Sequence, residues 1–411
     1  MKSLIRKFVP DFFIKVYHYK LALLGAIIFG FPSRKLIVIG VTGTSGKSTT
    51  VDFIVRILEE SGHKVASLSS IRFKIGDKEW KNELKMTMPG RFMVQKFLKD
   101  AVFEKCKYAV LEVTSEGIKQ FRHKFINFDT AVFTNLSPEH IESHGGFENY
   151  RNEKLKLFKV TKNIHIINAD DENSSYFLNI EAKKKITFGI NKGDIKTEYI
   201  SNNSFLVRGT RINLNLLGKF NIYNALAAIS VGLSYNIPLD TCKKALEKVK
   251  LMPGRMEIVN REPLVIVDYA HTPEQLEQVY KTLSQNTKYK IQNTKLICVL
   301  GSCGGGRDKW KRPVLGSIAQ KYCKEIIITN EDPYDEDPLE IMEQVASGIK
   351  NHEYHIVLDR REAIKKSLEL VKKEDTVIIT GKGSESLMCL ANGVKVPWDD
   401  RQILREVLNK Q

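Results

Sequence analysis

The chain has 411 residues, 42% hydrophobic and 27% charged, a balance that fits a globular protein of two or three domains and excludes a disordered chain. Its 64 Lys+Arg against 48 Asp+Glu give a net charge of +16, open to nucleic acid, a membrane surface, an anionic substrate or simply a basic exterior. No RNA-binding motif or DNA-reading module accompanies that charge, so no nucleic-acid partner is expected.

Residues 1–35 read as a short basic and apolar helical segment. Its apolar core, LALLGAIIFGF, falls short of the roughly 20 residues that span a bilayer, and no signal-peptide cleavage site follows it. Arg6, Lys7, Lys15, Lys20, Arg34 and Lys35 flank it, with Tyr17 and Tyr19 at its edge. Two readings stay open: a helix packed on the next domain, or an interfacial helix in peripheral contact with a membrane.

From Leu36 short β-branched runs alternate with amphipathic stretches, which predicts a parallel sheet covered on both faces over residues 36–252. Within it, residues 186–217 (ITFGI, IKTEYI, SFLVRG, RINLNL) are expected to form a small antiparallel insertion. Pro253-Gly254 punctuates the chain near 251–255, and a second α/β series fills residues 253–411. The six cysteines (Cys106, Cys242, Cys298, Cys303, Cys323, Cys389) contain no Cys-x-x-Cys pair and read as reduced, mostly buried thiols of a cytoplasmic protein.

Between KLIVIGV and VDFIVRILEE lies TGTSGKSTT, comprising Gly43, Thr44, Ser45, Gly46, Lys47, Ser48 and Thr49. At a strand-to-helix junction such a loop turns backbone N–H groups toward phosphates; Lys47 can reach the β and γ oxygens and the Ser48 hydroxyl can ligate magnesium. The strict nucleotide loop has Gly where this chain has Val41. Glu112, ending YAVLEV, stands where a magnesium ligand belongs in this architecture, unless it is a solvated carboxylate. FTNLSPEHIESHGGFENYRNEK then gathers Asn135, His140, His144, Glu148, Tyr150 and Lys154 into one loop-to-helix segment.

These segments, followed in order by INADD, LLGKFNIYNALAA, MPGRMEI, VDYAHTPEQLEQV, GSCGGGRDKWKRP, EDPYDEDP, GKGSES and VPWDDRQ, resemble the Mur ligase family, in particular its UDP-N-acetylmuramoyl-tripeptide synthetase branch (MurE), over residues 36–411. The shortened phosphate loop is that family's form. The resemblance implies a central ATP-binding domain followed by a Rossmann-like C-terminal domain, in a monomer. It also implies an ATP-dependent acid–amino-acid ligase of peptidoglycan precursor synthesis. ATP phosphorylates a substrate carboxylate, and an amino acid's amine then attacks the acyl phosphate to give an amide. The implied roles put Lys47 on the transferring phosphate, Ser48 and Glu112 on one Mg2+, and His140 on a second. Lys154, at Tyr-x-x-x-Lys spacing from Tyr150, would be an N-carboxylysine beside them. Asn224 would meet adenine, with Arg255 and Asp268 on phosphate and ribose and His271 nearby. Thr87, Pro89, Thr114, Ser115, Arg122, Tyr150, Asp332, Pro333, Tyr334, Gly381, Ser384 and Glu385 would meet the substrates: a UDP-N-acetylmuramoyl dipeptide and a lysine- or ornithine-like amino acid or diaminopimelate.

Some positions depart from the pattern. The family's Asn is Asp332 here, diaminopimelate-adding members carry Arg at Tyr334, and His is usual at Ser384 and Glu116. Arg would pair bidentately with the distal carboxylate of diaminopimelate, which Tyr cannot do. The acidic run Glu331, Asp332, Asp335, Glu336, Asp337 therefore favours an amino acid ending in an amine, unless it is only a solvated loop, while Arg307, Lys309 and Arg360 are the cations that could receive a carboxylate instead. Family members carry a UDP-binding domain where residues 1–35 stand, so a lipid-linked acceptor is an alternative. A folylpolyglutamate-type ligase and a non-catalytic accessory subunit are the other readings; the zinc ribbon of the latter needs a cysteine spacing absent here.

Overall fold

Runs such as Tyr108–Leu111 and Ala131–Phe133 are buried throughout, as suits inner strands of a sheet covered on both faces. The computed structural model describes residues 10–84, 86–201, 203–284 and 295–409, so Arg6 and Lys7 lie outside the described residues. Strands β1 (Ile37–Thr42), β2 (Val65–Leu68), β3 (Arg72–Ile75), β4 (Lys78–Lys81), β5 (Tyr108–Glu112), β6 (Phe128–Phe133), β7 (Ile164–Asn168), β8 (Lys184–Gly189) and β9 (Ile195–Lys196) form one sheet, in the order β4-β3-β2-β5-β1-β6-β7-β8-β9. Pairing is parallel from β2 to β9; β3 and β4 add an antiparallel hairpin at one edge. Helices Lys47–Glu60 and Lys219–Ser234 pack on one face, and Arg91–Phe103 and Phe147–Val160 on the other.

The expected antiparallel insertion is smaller than its sequence limits. ITFGI and the start of IKTEYI belong to β8 and β9 of the main parallel sheet, and only β10 (Tyr199–Ser201), β11 (Ser204–Val207) and β12 (Thr210–Asn213) form the antiparallel meander. Phe188 and Ile195 are buried in the core at that edge, and the removal of such side chains from water favours the sheet over a surface turn.

The second sheet comprises β13 (Glu257–Arg261), β14 (Leu264–Val267), β15 (Leu296–Leu300), β16 (Glu325–Thr329), β17 (His355–Val357) and β18 (Thr376–Ile379), ordered β13-β14-β18-β15-β16-β17 and parallel except for β13. Helices Pro273–Ser284, Lys311–Tyr322 and Pro338–Ala346 cover one face, Arg360–Leu370 and Asp400–Leu408 the other. Here the cysteine expectation is corrected. Cys298 on β15 and Cys323 just before β16 form a disulfide with Cα atoms 6.0 Å apart, because adjacent parallel strands juxtapose residues that the chain separates by 25 positions. Cys106, Cys242, Cys303 and Cys389 are free thiols.

The helix Asp11–Ile28 seats Ala22, Gly25 and Ala26 against helix Arg91–Phe103, so the packed reading of the N-terminal segment holds. Phe13, Tyr17, Leu24, Ile27 and Ile28 on its other side face solvent. Among the described residues no helix is long and apolar enough to cross a membrane.

Candidate functional site

Strand register does the placing. Val41 pairs with Glu112 across β1 and β5, and Thr42 with Phe133 across β1 and β6, so three strands end level and their loops meet at the carboxyl edge of the sheet. A cavity of about 730 Å³ opens there, its far wall supplied by the second sheet's loops.

The phosphate loop is held from below. Ser45 N donates to Asn135 Oδ1 at 2.8 Å, and the Thr44 and Tyr150 hydroxyls are 3.0 Å apart. Gly46, with φ +77°, leads into helix Lys47–Glu60; a Cβ there would stand 2.2 Å from Asn224 Oδ1, so the loop needs glycine to lie against Asn224. Lys47 Nζ bends back to Thr44 O at 2.8 Å. The Ser48 hydroxyl donates to Glu112 Oε2 at 2.8 Å, and the same oxygen accepts Ser70 N at 2.9 Å. Glu112 is buried, which rules out the solvated-carboxylate reading. Lys154 is buried behind this loop, donating to Gly43 O at 2.6 Å with Nζ 4.5 Å from the Tyr150 ring centre. Burial first, then the positive charge of Lys47, push its amine well below 10.5. His140 caps the short helix Ile141–His144 with a φ of +56°; burial pushes its imidazole down to about 3, against the opposing pull of Glu139, leaving the ring neutral.

Among the described residues no three His, Cys, Asp or Glu side chains converge as a metal cage. The hard oxygens of Ser48 and Glu112 beside an anion-binding loop do fit Mg2+, which takes one or two protein ligands and fills its octahedron with phosphate and water oxygens.

Across the cavity, Arg255 lies over the Tyr269 ring at 4.1 Å, and Asp268 accepts Met256 N and Ala270 N, each at 2.7 Å. His271 lines the cavity with Nδ1 2.8 Å from Tyr269 O. Thr49, Thr87, Thr114, Ser115 and Asn224 also line it. Gly43, Pro89, Arg122 and Pro333 are not among the residues that line it. Arg122 is bound to Met88 O and, at 2.7 Å, to Gln120 Oε1.

The loop 331–337 corrects the electrostatic reading made of it. Glu331 is buried against the Cys303 thiol, Asp332 accepts Lys382 Nζ at 2.8 Å and Cys389 N at 2.7 Å, and Asp335 accepts Asn392 N at 2.7 Å. Glu336 pairs with Arg312 at 3.0 Å and Lys309 at 3.2 Å, and Asp337 caps a helix through Leu339 N. Asp332, Asp335, Glu336 and Asp337 are thus occupied locally, whereas Glu331 lines the cavity with its Oε2 lacking a hydrogen-bond partner among the described residues; the run is not five free carboxylates awaiting an amine. Lys309 is taken up here, and Arg360 is buried against Asp400 at 2.8 Å. Arg307, by contrast, lines the cavity, near Tyr334, Gly381, Ser384 and Glu385 on the same wall. Sequence reasoning missed Gln275, whose Nε2 reaches Ser45 Oγ at 2.8 Å from the other half of the molecule, and Lys382, buried between Asp332 and Glu385. GKGSES carried the signal for Lys382 and VDYAHTPEQLEQV the one for Gln275, four residues after His271.

Residues 41–232 match the Mur ligase middle domain and residues 254–383 the Mur ligase glutamate ligase domain. A UDP-N-acetylmuramoyl-L-alanyl-D-glutamate–2,6-diaminopimelate ligase of Clostridium botulinum is 39% identical over 403 residues, 95% of this chain and 81% of that one. The chain belongs to the Mur ligase family. An equivalent ligase of Syntrophomonas wolfei is 38% identical over 406 residues, 94% of this chain and 81% of its own. A solved structure of a ligase of the same name superposes with a TM-score of 0.61 at 30% identity, covering 92% of this chain and 79% of that one. A Mycobacterium tuberculosis folylpolyglutamate synthase with ADP shares the fold, with a TM-score of 0.70 at 17% identity and coverage of 88% and 91%. Mur ligases are ATP-dependent amino-acid ligases that typically use Mg2+, and as one of them this chain is an enzyme rather than an accessory subunit.

Proposed function

We propose that this Mur ligase joins diaminopimelate to the D-glutamate of UDP-N-acetylmuramoyl-L-alanyl-D-glutamate. The observation that carries the choice of amino acid is Arg307 on the cavity wall beside a loop whose Asp332 and Glu336 are already paired with Lys382 and Arg312: the wall offers a cation to a distal carboxylate. Diaminopimelate is also what the named relatives add.

Two displacements make up the reaction. The acceptor carboxylate attacks the γ-phosphorus of ATP and ADP leaves; the amine then attacks the acyl carbon, phosphate leaves and the amine gives up a proton. Lys47 exchanges its bond to Thr44 O for the phosphates, and Arg255 adds charge from the second half. Magnesium, when bound, neutralises the phosphates, and Ser48, Glu112, His140 and a carboxylated Lys154 are the residues to hold it. A neutral Lys154 amine can add CO2 and release one proton, turning a buried amine into an anionic oxygen ligand. Asn224 and Asp268 take the nucleoside with His271 beside them, while Thr87, Thr114 and Ser115 form the acceptor side. A hinge at residues 251–255 divides a central domain, 36–252, from a C-terminal one, 253–411, in a cytoplasmic monomer.

The test is phosphate release from ATP with the UDP-linked dipeptide and a panel of diaminopimelate, lysine, ornithine and neutral amino acids. Release with diaminopimelate, reduced by Arg307→Ala chiefly through its KM, is expected; release with lysine or ornithine alone overturns the amino-acid assignment. The solvent-facing row Phe13, Tyr17, Leu24, Ile27 and Ile28, with Lys15 and Lys20 on the same helix, supports a further reading in which this helix rests on an acidic bilayer. Sedimentation with anionic vesicles that Phe13→Ser and Leu24→Ser do not weaken would refute it.

A further inference from the structure

The loop 301–310 after β15 touches both ends of the site. Its front lies on the amino-acid loop: Gly304 N donates to Asp332 O at 3.0 Å, and Gly305 is so close to Tyr334 that a Cβ would stand 2.5 Å from the ring's Cδ2. Its back grips the turn that carries His140 on the other half of the molecule. The buried Asp308 carboxylate accepts Ile141 N at 3.2 Å and Glu142 N at 2.9 Å. Lys309 N donates to Glu142 Oε1 at 2.8 Å, and Lys311 Nζ lies 3.3 Å from Glu139 Oε1 with both side chains buried. Arg307 Nη1 lies 3.3 Å from His140 Nδ1.

The turn needs such support. His140 occupies the left-handed region, costly for a residue with a Cβ, and the helix it opens has only four residues, too few to hold itself. The Asp308 carboxylate takes the first two N–H groups of that helix, in charge-assisted bonds stronger than neutral ones.

We infer that Asp308 is a positioning residue: it sets His140 for the metal when the second half of the molecule has closed, and it ties that setting to the amino-acid loop through residues 303–308. The inference rests on the reading of His140 as a magnesium ligand. By linkage, an amino acid that orders the Tyr334 loop should tighten the ion at His140, and the ion should tighten the amino acid equally.

Mn2+ binding, followed by electron paramagnetic resonance with a non-hydrolysable ATP analogue, with and without diaminopimelate, tests this. The wild-type chain should bind two ions, one of them more tightly when diaminopimelate is present. Asp308→Ala should weaken that ion about 10- to 100-fold, the range for removing an outer partner of a ligand, and abolish the effect of diaminopimelate while sparing the ion at Ser48 and Glu112. Asp308→Asn, which keeps one acceptor, should fall between, and Lys321→Ala, an exposed pair partner of Glu277, should match wild type. Unchanged affinity of the second ion in both Asp308 variants overturns the tie, as does equal loss of both ions in Asp308→Asn. Turnover of the wild-type chain is measured on the same preparation. Turnover without an Asp308 effect overturns the tie and leaves the ligase reading; an Asp308 effect without turnover does the reverse.

Discussion

Two lysines behind one phosphate loop face different fates. Lys47 is half-buried and can swing to a phosphate, whereas Lys154 is sealed against Gly43 O and the Tyr150 ring. A buried ammonium beside another is costly, and the amine's depressed affinity for a proton is the result. Lys154→Ala should cut turnover by about 100-fold, and added acetate or propionate should restore part of it; a variant as active as wild type would remove the carbamate from the mechanism. The sequence named this lysine through its spacing from Tyr150, but its burial and its contact with Gly43 come from packing. His123 went unremarked for the opposite reason: no motif contains it. It is buried, neither ring nitrogen meets a hydrogen-bond partner among the described residues, and burial holds it down to about 3. The unfolded ring, at about 6.5, therefore binds a proton first as pH falls. Stability is full above pH 6.5 and is lost by about 1.4 kcal/mol per unit as pH drops from there toward 3. Denaturant unfolding at pH 7 and pH 5 should show that slope in wild type and a shallower one in His123→Phe.

Among the elements, the turn 252–255 shows how two motifs that are remote in sequence define one wall. Gly254 has φ +62°, and a Cβ there would stand 2.0 Å from Ser384 N, so MPGR and GKGS can touch only because this residue is glycine. Gly254→Ala should destabilise the chain by at least about 1–2 kcal/mol from the left-handed backbone alone. It should also raise the KM for the amino acid, since Ser384 and Glu385 must move; unfolding by urea and steady-state kinetics check the two parts. The loop 331–337 teaches the limits of composition. Five carboxylates in seven residues read as an acidic surface, yet Lys382, Arg312 and backbone N–H groups consume all but Glu331. At the sheet edges the hairpin β3–β4 escaped notice because each strand is only four residues long, whereas the alternation of buried Phe73 and Ile75 with Arg72 and Lys74 was there to be read.

At the scale of the whole molecule, the two halves meet through polar contacts from residues 307–311 to the His140 turn and, among the described residues, through Gln275 to Ser45 at the phosphate loop. One neutral hydrogen bond is worth about 0.5–1.5 kcal/mol, so Gln275→Ala should raise the KM for ATP by about 2- to 12-fold, with little change in thermal stability. An unaltered KM would mean that closure does not act through this bond. The alternation of most strands and helices, the phosphate loop and the family were legible in the chain itself, because apolar periodicity and short motifs are local properties. Local pattern could not reveal which charges remain available, which cysteines lie side by side, or which residue supports His140. Those depend on juxtaposition across strands and between halves: Cys298 with Cys323, Asp332 with Lys382, Asp308 with Ile141 and Glu142. Electrostatics and hydrogen bonding act over a few ångströms of space whatever the separation in sequence, and only the folded chain sets those distances.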